Sequence, residues 1–403
     1  MMIPTRAPAP RAPNTLSMLL TSAVVVAGLA ILPQTGHSTP ALPRGAYSDL
    51  GTPVAQIISL RAPAWDGHAG EYQPLQHREG QLNALLSTVV DILTSGEAVD
   101  SRDRLLGLES SLQQTAVELQ AARKQLAYTP ENPCNSAQMI DRITCHFATT
   151  KADQIEAIKD LQGTVSQRQQ QILDERDRFA SDLVNIGISV RPEQVDTLLH
   201  MATANDIVSL HAVYANLQQL NGVLQEAASK TNSSSPANIR RYYGIYTVLL
   251  EVAMHMHEEI YFKLRDTYLP KLDALAANAA GAIKQARSMA AATSRVELKR
   301  QLATNLASLN TTLHAALLYR QALETQAEAI NVSWSRIYEQ HKVAVNSFRT
   351  ASLSASLLTQ MQESGRHIAT LQQLEIPPID GLGNAALQRE FERLTLQIQL
   401  PNT

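Results

Sequence analysis

Apolar residues recur every third or fourth position along most of this chain, the spacing of helices that bury one face. No span alternates convincingly as a strand. From Glu79 onward Leu82, Leu85, Leu86 and Val89 open such a stripe. Leu105, Leu112, Leu119 and Leu126 then fall seven apart, with Leu108 and Ala122 at intermediate positions. This heptad seam stops near Tyr128, because Pro130 and Pro133 follow. A second seam runs through Ile158, Val165, Ile172, Phe179 and Ile186, flanked by Ile155 and Leu183. Gln162, Gln169 and Arg176 occupy its intermediate seats, where polar residues weaken a seam but fix its register. Two seams joined by a short Pro-containing connection predict an antiparallel hairpin over residues 77–187.

Gly187 and Pro192 interrupt the pattern. Residues 188–373 read as a bundle of long helices. One restarts near Glu193 and runs to about Lys230, and another begins near Ile239 and kinks at Pro270. The small-residue stretch that follows, ALAANAAGAIKQARSMAAAT, is expected inside the bundle, since small side chains permit close approach. Ser294 and Glu297 have the spacing of a capping box. No Gly or Pro then occurs until after Ser364, which predicts a rod of roughly 100 Å if unbroken. Its seams are Leu302, Leu309, Ala316, Leu323, Ile330 and Ile337, and Leu306, Leu313, Arg320, Ala327, Trp334, His341 and Phe348. Residues 374–403 form a linker and a short amphipathic helix with Leu387, Phe391, Leu394 and Ile398 on one face, placed either to dock a partner or to fold back on the bundle.

Residues 39–76 contain Pro40, Pro43, Pro53, Pro63 and Pro74 and read as an extended lead-in, with Trp65 and Tyr72 available to pin it to the body. The expected fold is therefore all-α: an elongated helical bundle with long antiparallel coiled-coil hairpins. Composition agrees, because aromatic residues are only 4% of the chain and any core must be built from aliphatic side chains.

Charge and the N-terminus change the picture of where such a bundle works. The net charge is −3, with both signs spread along the length, so there is no basic track for nucleic acid. Arg6 and Arg11 precede an uncharged apolar run from Leu16 to Leu32, and small, polar residues follow. Residues 1–38 thus read as a secretory signal peptide, or as an uncleaved anchor in the inner membrane. Either form exports the remainder to the periplasm or beyond. Cys134 and Cys145 are the only cysteines, and a lone pair in an oxidising compartment is expected as a disulfide at the hairpin tip. So short a loop would contribute ~2–3 kcal/mol.

The densest chemistry is EVAMHMHEEI, Glu251 to Ile260. On a helix His255 and His257 point about 160° apart, so they do not chelate one metal together. His255 has Glu251, Glu258 and Glu259 within one turn. Glu251, His255 and Glu259 are weak metal candidates; the simpler expectation is a histidine on a solvated acidic face, with His257 turned toward the core. The paired Glu-x-x-His of di-iron bundles is missing, and His257 to Tyr261 departs from H-E-x-x-H at its last position. His341 and Arg320 are expected as register-setting polar residues of the rod.

No nucleophile elbow, phosphate loop or dinucleotide fingerprint occurs. The sequence therefore points to an exported structural or interaction protein, without catalysis or cofactor, that scaffolds or docks envelope proteins or associates with itself through coiled-coil seams. Two alternatives stay open. One is a helical pore former built on the apolar stretch Tyr242 to Met256; the other is a metal-binding bundle.

Overall fold

A computed structural model describes residues 44–67, 72, 74, 78–94, 96–129, 131, 149–188, 192–230, 236–351 and 385–399. Among these residues the chain is almost entirely helical, without strands. The chain forms two units: residues 1–94 with 213–403, and residues 95–212. The segment expected as a signal peptide or anchor and both cysteines lie outside the described residues.

The first unit begins with α1, Arg44–Asp66, where an extended lead-in was expected. Pro53 and Pro63 lie inside this helix, and each removes a backbone hydrogen bond. Burial offsets that cost. Leu50, Val54, Ile57, Arg61 and Trp65 are all buried and fall at i, i+4, i+7, i+11 and i+15, one continuous stripe. Trp65 meets the edge of Phe348 at 5.2 Å, and both Trp65 and Tyr72 are buried, so the two aromatics do pin this segment. Helix α2, Gly80–Thr94, packs on α1 through the same unit.

In the second unit α3, Glu97–Leu126, pairs with α4, Lys151–Asn185. Arg104 bonds Glu175, Arg168 bonds Ser111 and Thr115, and Gln154 bonds the Ala122 carbonyl. Residue numbers rise on one helix as they fall on the other, so the pair is antiparallel. Thr150 and Asp153 close a capping box that starts α4. At its other end Ile188 N–H donates to Leu183 O at 2.8 Å and Gly187 N–H to Val184 O at 3.0 Å, a Schellman ending with Gly187 at φ 88°. A Cβ is costly in that left-handed conformation. Gly187→Ala is expected to lose about 1 kcal/mol, read as a lower urea midpoint with unchanged slope. Helices α5, Pro192–His200, and the first part of α6, Ala204–Lys230, complete this unit.

The remainder of the first unit is built around α7, Pro236–Phe262, α8, Leu269–Ala292, α9, Val296–Thr350, and α10, Ala385–Gln399. A π-helical turn, Lys263–Tyr268, joins α7 to α8 just before Pro270, which has no N–H for the regular ladder. Helix α9 has 55 residues, about 80 Å, and packs against α7, α8 and α10. Its predicted seams are largely the buried ones: Leu302, Ala316, Leu323, Ile330, Ile337, Trp334, His341 and Phe348 are covered. Two expectations are corrected here. Arg295, not Ser294, is the N-cap of α9, and no side chain caps it. Many small residues of α8, such as Ala274, Ala277, Ala280 and Gly281, are exposed rather than interior, because only the face with Leu272, Ala279, Ile283 and Ala286 is covered.

Candidate functional site

The first unit holds a charged cluster almost wholly shielded from water. Helix α7 supplies Glu251, His255 and Glu258, which are 1%, 0% and 0% exposed. This overturns the solvated acidic face expected for them. Helix α7 is apolar on one side, but its polar side is also covered, by α1, α2, α9 and the segment carrying Tyr72 and Arg78. A charged face can be buried this way only if its charges are matched.

The matching is close. Arg61 Nε donates to Glu251 Oε1 at 3.0 Å, and His341 Nε2 donates to the same oxygen at 3.0 Å. Arg78 Nη2 donates to Glu258 Oε2 at 2.9 Å, and Tyr72 OH donates to that oxygen at 3.0 Å. Arg78 also bonds Tyr72 directly and reaches Asn83 at 3.2 Å. Two arginines thus meet two buried carboxylates. Burial pushes the Glu251 carboxyl up, but the bond from His341 and the charge of Arg61 outweigh it and hold the group below its usual range. Burial, reinforced by Glu258, drives the Tyr72 phenol well above its ordinary value despite Arg78, so it stays a neutral donor.

His255 has its protonation state dictated by geometry. Arg78 Nη1 lies 2.8 Å from His255 Nδ1, and a guanidinium has no lone pair to offer. Nδ1 must therefore accept, and the proton sits on Nε2. Burial, with the Arg78 charge beside it, lowers this imidazole to about 3. Nε2 faces Ser87 Oγ at 3.1 Å and Glu259 Oε1 at 3.3 Å. By distance Ser87 and His255 resemble a nucleophile and its base. By tautomer they do not, because Nε2 already carries the proton that a base would need to take.

His257, on the opposite side of α7, has the reverse tautomer. Nδ1–H donates to Ala253 O at 2.8 Å, and Nε2 accepts from Tyr214 OH at 3.3 Å and Ser333 Oγ at 3.1 Å. All three side chains are buried, and burial raises the Tyr214 phenol. His257 is the core histidine its position predicts.

The weak metal trio is not assembled: Glu251 turns to Arg61 and His341, while His255 and Glu259 face Ser87. Among the described residues no three His, Cys, Asp or Glu side chains are grouped to hold a metal, and no single helix is long and apolar enough to cross a membrane. Of the two placements expected for the apolar face of α10, the structure shows the fold back onto the chain. Leu387, Phe391, Leu394 and Ile398 are buried, Phe391 lies 4.9 Å from the Tyr319 ring, Thr395 bonds Tyr319 at 2.9 Å, and Lys271 donates to Ile398 O at 3.0 Å. His341 is a buried partner of Glu251, whereas Arg320 pairs at the surface with Asp273 and Glu324. Arg61 and Arg78 escaped the sequence reading, whereas Tyr72 was expected only to pin the lead-in and Glu258 only to lie on the solvated acidic face. The one local signal was the i, i+4, i+7 stripe of α1, with Arg61 seated in it.

No family model matches the chain, and neither a characterised protein nor a solved structure matches it.

Proposed function

We propose that this chain is an exported interaction protein of the cell envelope, in which an elongated helical body carries a coiled-coil hairpin arm that docks other proteins without catalysis. The observation that carries this reading is the state of the α3–α4 pair. Its inner seam is covered at Leu105, Leu119, Phe179, Leu183 and Ile186. Farther along, Leu108, Leu112, Leu126, Ile158, Val165 and Ile172 are only half-buried. Val117, Ile155 and Leu173 point outward at 62%, 52% and 51% exposure. A two-helix arm with a partly open seam gains by covering that surface with another helix. The N-terminal basic and apolar pattern supports export, and the Cys134–Cys145 disulfide would staple the arm's tip.

The buried cluster fits the same reading as an internal lock. Its charges are matched to one another, and the dyad-like Ser87–His255 pair has the wrong tautomer for attack. Sedimentation of the purified chain tests the elongated form. The chain is expected to sediment more slowly than a sphere of its mass, 44.0 kDa per copy; a compact sphere would overturn it. Circular dichroism of the same sample is expected to show helix with negligible strand.

A further inference from the structure

We propose that the partner on the outer face of α4 is a second copy of this chain, paired antiparallel along that helix. The inference rests on the docking reading and names its occupant. Ile155, Leu173 and Val184 are 52%, 51% and 46% exposed. Ile155 and Leu173 are eighteen residues apart and Leu173 and Val184 eleven, which is about five turns and about three. All three therefore lie on one line down α4, offset from the inward residues Phe179 and Leu183. Between Ile155 and Leu173 that line carries Gln162, Ser166 and Gln169 and no charge. Along its outer edge stand Lys159 and Asp177, both exposed and again about five turns apart.

This arrangement is self-complementary. A two-fold axis level with Arg168 places each residue against the one equally far on the other side, and keeps like edges together. Lys159 of each copy then faces Asp177 of the other, twice per dimer. Ile155 seats between Ala180 and Val184 of the second copy, and Leu173 between Gln162 and Ser166. Arg168 itself points inward, bonded to Ser111 and Thr115, and brings no like charge to the axis. An unrelated helix would have no reason to repeat the Lys159–Asp177 spacing in reverse.

Sedimentation equilibrium of the full chain at tens of micromolar tests this pairing. The wild type is expected as a dimer. Ile155→Asp combined with Leu173→Asp is expected to give a monomer of unchanged helical circular dichroism. Asp177→Lys, a change at an exposed position, is expected to raise the dimer dissociation constant about ten-fold or more by setting Lys159 against lysine. Adding Lys159→Asp to that variant is expected to restore dimerisation, which a general loss of stability would not do. A monomeric wild type, a dimer indifferent to these substitutions, or a charge swap that fails to rescue would each overturn the proposal. A monomer that still binds a different envelope protein through the hairpin would sink the self-pairing and leave the docking reading standing.

Discussion

Replacing Arg78 by alanine is expected to cost about 3–5 kcal/mol of stability, the largest effect of any single substitution in the cluster. Arg78 and Glu258 side chains are 1% and 0% exposed and 2.9 Å apart. The same guanidinium also serves His255 Nδ1, Tyr72 and Asn83. Alanine takes the cation from a carboxylate that water cannot reach, and leaves the imidazole lone pair facing the space it vacated. A chemical-denaturation series measures this directly. Arg78→Met with Glu258→Gln should be clearly less destabilised than Arg78→Ala, because the double variant removes both charges and keeps the volume. A loss of about 1 kcal/mol or less for Arg78→Ala, the level of a surface pair, would place the pair in contact with water.

Acid is expected to weaken the first unit from about pH 6.5 downward, before most carboxylates titrate. His255 is held at about 3 when folded, whereas an unfolded histidine takes its proton near 6.5. The folded state therefore binds fewer protons between those values. Its advantage is full above 6.5 and is lost as the pH falls toward 3. The loss reaches at most about 4–5 kcal/mol over the whole window. Glu251, held below its usual range, adds to the same decline at lower pH. In the second unit His211, lowered to about 4 by burial, acts with the same sign. Stability measured against pH should slope downward through pH 5. His255→Gln should lower the plateau near neutrality and flatten part of that slope. An unchanged slope would mean that His255 is not the proton acceptor.

The elements legible in the sequence are those whose partners are near or repeat regularly. The α3 and α4 seams and the long register of α9 are written in residues seven apart; burial follows most of the α9 register, but on α3 and α4 only Leu105, Leu119, Phe179, Leu183 and Ile186 are covered. Helix α1 was hidden because Pro53 and Pro63 argue against a helix locally, while its buried stripe depends on Phe348 and Glu251 far along the chain. The cluster was hidden for the same reason. Glu251, His255 and Glu258 look solvated when only α7 is considered, since helical geometry sets them on one polar face. Their partners Arg61 and Arg78 come from 190 and 177–180 residues away. No periodicity encodes such a match. The face of α10 was correctly apolar, yet periodicity alone gave it no partner, and the chain itself covers it.

These observations describe one economy of charge and surface. Inside the first unit, charges are matched and fixed. On the α3–α4 pair of the second, aliphatic side chains are left outward at intervals of whole turns. The most direct measurement of the docking account is the mass of the chain's complex extracted intact from the cells that make it. The account predicts an assembly heavier than 44.0 kDa that is reduced to the single chain by Ile155→Asp with Leu173→Asp. A lone chain in the wild-type extract, or an assembly that this hairpin variant leaves whole, would contradict it.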